Sequence, residues 1–109
     1  MVIRSANKEH ISQAVESYVS DLCAHHPEIE RVFWFGSWVT GIPTPGSDVD
    51  LCIVVTSSHL PVRDRMVNYL PIRFPVGIDL FVYTREEFDR LDEVSPGWKK
   101  VILAGVELG

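Results

Sequence analysis

Lysine and arginine are missing altogether between Arg31 and Arg63, and the 109-residue chain holds only 10 of them against 15 aspartates and glutamates, a formal net charge of -5. Loose binding to duplex nucleic acid or to an anionic membrane rests on clustered cations that neutralise phosphate, so direct binding to either is not expected. Long apolar runs are missing too. The longest, Leu51 to Val55 and Val101 to Val106, fall far short of the roughly 20 residues that cross a bilayer. The amino terminus turns polar at Arg4, Asn7, Lys8 and Glu9, which leaves no signal-peptide core and points to the cytoplasm. Cysteine is scarce. Cys23 and Cys52 could form one bridge, a poor scaffold for an aromatic-rich core, so both are read as reduced, buried thiols.

What is present is enough for one domain over residues 1–109, with 46% of the chain hydrophobic. Folding at this size removes roughly 60 to 70% of the unfolded surface from water, enough for a single core but not for a separate substrate-binding domain. The expected substrate is therefore small or brought by a partner.

No repeat, low-complexity run or linker interrupts the chain, and its patterning alternates between helix and strand. Ile11, Ala14, Val15, Tyr18 and Leu22 make an apolar stripe over residues 7 to 24, a helix stopped by Pro27. Arg31 to Phe35 reads as a buried strand ended by Gly36, and Trp38 to Thr40 as one helical turn before Gly41. The prolines and glycine of Ile42 to Ser47 predict a loop. Asp48 to Val55 is a second strand, with Leu51, Ile53 and Val55 on one face and Asp48, Asp50, Cys52 and Val54 on the other. Ser57 or Ser58 can cap a helix running to about Leu70, with Pro61 in its first turn. Gly77 to Tyr83 is a third strand. Thr84 and Glu87 have capping-box spacing for a helix bearing Phe88 and Leu91, and Ser95-Pro96 opens a last helix that Gly105 ends before a short strand at Val106 to Leu108. The link between the first two strands is too short for a crossover helix, whereas Val55 to Gly77 is long enough for one. The fold class that follows is α/β (α+β), a small mixed sheet flanked by helices.

The chemistry concentrates in Phe35-Gly36-Ser37 and, ten residues on, Asp48-Val49-Asp50. Carboxylates two apart on a strand share a face, roughly 6.5 to 7 Å apart at Cα. With no basic neighbour in the sequence, their repulsion would be relieved by a hard divalent ion such as Mg²⁺. Asp79 stands between Ile78 and Leu80, a charge that is costly in an apolar run unless it is coordinated or hydrogen-bonded. Gly36 allows close approach to the backbone, and the donors after it suit a phosphate. These parts match nucleotidyl transfer with two ions, in which positioning and charge stabilisation dominate.

The string Phe35-Gly36-Ser37-Trp38-Val39-Thr40-Gly41, then Thr44-Pro45-Gly46-Ser47-Asp48-Val49-Asp50-Leu51, resembles the signature of the DNA polymerase β-like nucleotidyltransferase superfamily. Gly77-Ile78-Asp79-Leu80-Phe81-Val82 resembles its third acidic motif. Within the superfamily the chain is similar to the minimal nucleotidyltransferases, and its ten-residue gap to members that act as antitoxins beside a helical HEPN ribonuclease. The resemblance implies a nucleotidyltransferase fold, with Gly36 and Ser37 holding the β- and γ-phosphates of ATP and Asp48 and Asp50 binding two Mg²⁺ ions. Asp79 would bind the catalytic ion and orient or deprotonate the acceptor. It further implies transfer of AMP to a hydroxyl of a partner protein, a HEPN-type toxin, at a tyrosine near its ribonuclease site. One departure stands out: relatives often carry Arg where Val39 or Thr40 stands here, which removes a cation from the nucleotide. That departure favours a rival reading, a non-catalytic module that neutralises its partner by occlusion. A third reading is transfer to a small molecule such as an aminoglycoside, with a homodimer building the pocket.

The remaining polar and aromatic residues have plainer readings. His25-His26 lies before Pro27 at a helix end, where imidazole can meet the carbonyl dipole, with metal binding as the alternative, and His10 and His59 are surface residues without zinc spacing. Cys52 is a buried filler. Trp34, Trp38 and Trp98 fill the core or its edge, with stacking on a base as the alternative for Trp38. Arg63, Asp64 and Arg65 form a solvated helix face from which one arginine could reach a phosphate or a partner's carboxylate. Lys99 and Lys100 face water.

Overall fold

The apolar stripe of the first helix is buried at Ile11, Val15, Val19 and Leu22 along α1 (Lys8–His25) in the computed structural model, which describes residues 8–41 and 47–108. At its end His25 Nδ1 donates to the Asp21 carbonyl at 2.8 Å, the helix-terminus contact expected of that imidazole. The chain then enters β1 (Ile29–Phe35), longer than Arg31 to Phe35 because Ile29 pairs with Val55 across a register irregularity. A single turn, α2 (Ser37–Thr40), follows Gly36. Residues 42–46 of the loop predicted from Ile42 to Ser47, and the polar start at Arg4 and Asn7, lie outside the described residues. β2 (Val49–Val55) returns antiparallel to β1, and β3 (Ile78–Thr84) lies parallel to β2 across the crossover.

That crossover is less helical than its sequence suggests. α3 (Val62–Arg65) gives way to a tight turn at Met66–Asn68, in place of one helix from Ser57 or Ser58 to Leu70. The serine does not cap: Ser58 Oγ accepts from the Leu60 amide at 3.1 Å, and Pro61 stands at the N-cap instead. Helices in proteins persist mainly by burying one face, and here Leu60, Val62, Val67 and Leu70 are all exposed.

After β3, Thr84 and Glu87 close the anticipated capping box on α4 (Arg85–Asp89), with Glu87 N–H donating to Thr84 Oγ1 at 3.2 Å and Thr84 N–H donating to Glu87 Oε1 at 2.9 Å. Phe88 and Leu91 fall on two short helices rather than one, because the chain breaks at Arg90 before α5 (Leu91–Val94). α6 (Pro96–Leu103) and β4 (Val106–Leu108) complete the chain. The strands form one mixed sheet in the order β3-β2-β1-β4.

Alternation along the strands divides the core in two. Val32, Trp34, Leu51, Ile53, Leu80 and Val82 pack against α1, Trp38 and Tyr69 on one face. Phe33, Phe35, Cys52 and Val54 meet Phe88, Leu91 and Ile102 on the other, with Phe81, Tyr83 and Trp98 packed against them. The acids of β2 belong to this second face.

Candidate functional site

The register of the sheet brings Asp50 level with Asp79 on the parallel neighbour and with Phe35 on the antiparallel one. Strands lie about 4.8 Å apart, so side chains at paired positions adjoin, and the Asp50 and Asp79 carboxyls are hydrogen-bonded to each other. Partial burial is the largest cause that pushes the Asp50 carboxyl up to about 6, followed by the charges of Asp79 and Asp48 and by that hydrogen bond. A carboxyl held this way binds a proton, or another cation, more readily than a solvated one.

Two glycines give these acids their room. Gly36 has φ +91°, ψ -161°, a backbone region that side chains rarely enter, and a Cβ there would overlap the Asp50 carboxylate. Gly77 lies under Asp48 in the same way, so that a Cβ would collide with Asp48 Oδ1. The Val49 N–H donates to the Gly77 carbonyl at 2.9 Å and ties the start of β2 to the start of β3. Gly77 was not among the residues expected at the site. A glycine directly before the strand that bears Asp79 is the signal that marks it.

Gly36 also ends β1 and starts α2: its carbonyl accepts from the Val39 and Thr40 amides at 3.0 Å and from Thr40 Oγ1 at 3.2 Å. Ser37, half-buried, opens α2, and its carbonyl accepts from the Gly41 N–H at 3.2 Å. Trp38 is 2% exposed and donates from Nε1 to the Ser47 carbonyl at 2.7 Å. It therefore pins the start of the acidic strand and has no free face for a base, which overturns the stacking alternative.

Asp48 and Asp79 are exposed and Asp50 is half-buried. None of the three takes part in an ion pair among the described residues. No group of three or more His, Cys, Asp or Glu among them is already arranged to hold a metal. The pairing of Asp50 with Asp79 and the place of Asp48 over Gly77 accord with that. As donors, the three acids fit a hard divalent cation: oxygen ligands of one charge, with two glycines packed against them and one carboxyl shifted upward by partial burial and by its acidic neighbours.

Elsewhere the side chains have structural work. Arg65, read as part of a solvated face, is 5% exposed; it donates to the Leu60 carbonyl at 2.7 Å and the Val82 carbonyl at 3.1 Å and pairs with Glu87. The carboxylate it reaches is the chain's own. Lys99 does not simply face water, since its Nζ lies 5.0 Å from the Phe88 ring centre and 3.6 Å from Asp92. Cys52 is fully buried, its thiol pushed up to about 12 by that burial, whereas Cys23 is only half-buried; both are free. His10 and His59 are exposed.

Among solved structures, a protein of Sulfolobus solfataricus described as a nucleotidyltransferase, with a 1.40 Å crystal structure, superposes with a TM-score of 0.60 at 24% identity, over 76% of this chain and 75% of that one. At that identity the likeness shows the fold. No curated protein matches the sequence. A profile described as "Poly(A) RNA polymerase, mitochondrial-like, central palm domain" matches residues 4–93, which takes in all three acid positions and both glycines beneath them. The chain thus belongs to that palm-domain family of nucleotidyltransferases.

Proposed function

We propose that the protein transfers a nucleoside monophosphate, AMP from ATP, to a hydroxyl group and releases pyrophosphate. The observation that carries this reading is the level pairing of Asp50 with Asp79, with Asp48 beside them and no cation to balance the cluster. Asp48, Asp50 and Asp79 would hold Mg²⁺, which when bound neutralises triphosphate charge and acidifies the acceptor hydroxyl. Gly36, having no Cβ, lets the turn into α2 lie directly against the Asp50 carboxylate, so that the turn and the acids would face one triphosphate. The Ser37 hydroxyl stands next to Gly36 as a donor. Asp79, on the edge strand β3 beside Asp50, would orient the acceptor and take its proton as the oxygen attacks the α-phosphorus and the bond to pyrophosphate breaks.

The acceptor in this reading is a side chain of a partner protein, a HEPN-type ribonuclease neutralised by the modification. An acidic chain without cations on the acid-bearing stretch from Val32 to Val62 suits a protein acceptor better than a polynucleotide. The family description favours a second acceptor, the 3′-hydroxyl of RNA. Incubation with Mg²⁺, ATP labelled at the α-phosphate, and either the helical partner or an RNA oligonucleotide separates the two. Label on the partner is expected, and is expected to disappear with Asp48→Asn and Asp50→Asn. Label on RNA alone transfers the reading to the second acceptor. Tight partner binding without nucleotide binding in calorimetry would replace catalysis by occlusion.

A further inference from the structure

The three acids are not held alike. Asp50 and Asp79 lie within β2 and β3 and pair with each other, so the ladder fixes their backbone. Asp48 stands one residue before β2, outside the ladder, and is flanked instead by two hydrogen bonds. The Ser47 carbonyl, in the peptide plane that precedes Asp48, accepts from Trp38 Nε1 at 2.7 Å. The Val49 N–H, in the plane that follows, donates to the Gly77 carbonyl at 2.9 Å. Because each peptide unit is planar, holding both planes restricts φ and ψ of Asp48 and so sets the direction of its side chain.

Trp38 can hold the first of these planes because it is itself fixed. Its side chain belongs to the buried core that includes Ile11, Val15, Val49 and Leu51, and its backbone lies in the turn that begins at Gly36 and Ser37. One indole thus joins that turn to the first acid across nine residues of chain. Hydrogen bonds that orient a metal ligand from outside the coordination sphere typically change metal affinity by about 10- to 100-fold when removed. Given the cation-dependent transfer proposed above, on which this step rests, we infer that Trp38 is a positioning residue: it holds Asp48 in place as a cation ligand through the Ser47 carbonyl. Trp34 supplies the contrast. It is buried in the same core, yet its Nε1 has no hydrogen-bond partner among the described residues.

Mn²⁺, which takes the same oxygen ligands as Mg²⁺, serves as the probe. Its dissociation constant is read by electron paramagnetic resonance, without nucleotide, at a temperature where circular dichroism shows each variant folded. Trp38→Phe keeps an aromatic ring in the core and removes the donor; it should raise the constant by roughly tenfold or more. Trp34→Phe makes the same cut where no hydrogen bond is lost and should leave the constant unchanged. If Trp38→Phe does not fold, benzothienylalanine at position 38, with sulfur in place of the indole N–H, keeps the shape and should show the same loss. Wild-type affinity in the variant that lacks the donor overturns the inference, as does an equal loss in Trp34→Phe. A wild type that binds no Mn²⁺ overturns the cation site itself, and the role of Trp38 with it, so the two failures read differently.

Discussion

Gly36 shows how much one missing side chain can decide. Its backbone lies in a region almost reserved for glycine, and the space where a Cβ would stand belongs to the Asp50 carboxylate. Gly36→Ala is expected to cost about 1–3 kcal/mol in stability and to abolish nucleotide binding by crowding Asp50; thermal melting and calorimetry with Mg²⁺-ATP measure the two effects. Asp50 itself should make the cation-free protein less stable as pH rises from acid towards neutral. Its folded-state value, about 6, lies above the ordinary 3.8, so protonation favours the fold, and that advantage is lost as pH rises from about 4 through 6. In chelator, Asp50→Asn should therefore melt higher than wild type at pH 7.5 and no higher at pH 3.5, and added Mg²⁺ should raise the melting temperature of wild type alone. Equal melting of the two proteins in chelator at pH 7.5 would contradict the desolvated, like-charged setting described for this carboxyl.

Among the secondary-structure elements, α3, β3 and α4 are tied together at one junction. Thr84 caps α4 while Glu87 closes the box and also binds Arg65, which reaches back from α3 to the β3 backbone at Val82. Removing the cap with Thr84→Ala should cost about 1 kcal/mol in denaturant unfolding. Arg65→Met should cost more, about 2–3 kcal/mol, because it strips the donors from the Leu60 and Val82 carbonyls as well as the partner from Glu87. The Arg65 guanidinium holds the Glu87 carboxyl below its ordinary value of 4.5. That contribution is present above pH 4.5 and fades as pH falls through the lowered value, so Arg65→Met should flatten the acid limb of the stability profile. An acid limb as steep as that of wild type would show that the pair contributes nothing to it.

Taken as one body, the molecule sorts its tasks by sheet end and sheet face. Chemistry-bearing acids occupy the starts of β2 and β3, whereas the Arg65 junction lies at their finish. Both faces of the sheet are packed, by α1 on one side and α4–α6 on the other, which holds β2 and β3 in register and so keeps the acids level. With Mg²⁺-ATP bound to the folded state alone, the melting temperature should rise with ligand concentration. Asp48→Asn combined with Asp50→Asn should remove that rise without loss of the fold, and a rise that survives would place nucleotide binding elsewhere.

Local pattern alone determined a good deal of this. The alternation around Leu51 and Ile53 assigned Asp48 and Asp50 to one face, the helical stripe placed α1, and Thr84 with Glu87 marked the start of α4, because each depends on contacts a few residues apart. The lengths of the two strand connections similarly made β1 and β2 antiparallel and β2 and β3 parallel. Tertiary packing decided the rest: that Asp79 stands level with Asp50, that Gly77 makes room for Asp48, that Trp38 turns inward to hold Ser47, and that Arg65 leaves the surface for Glu87. These depend on which distant strand or carbonyl lies opposite, a matter of sheet register and buried hydrogen-bond demand that no short window of sequence contains.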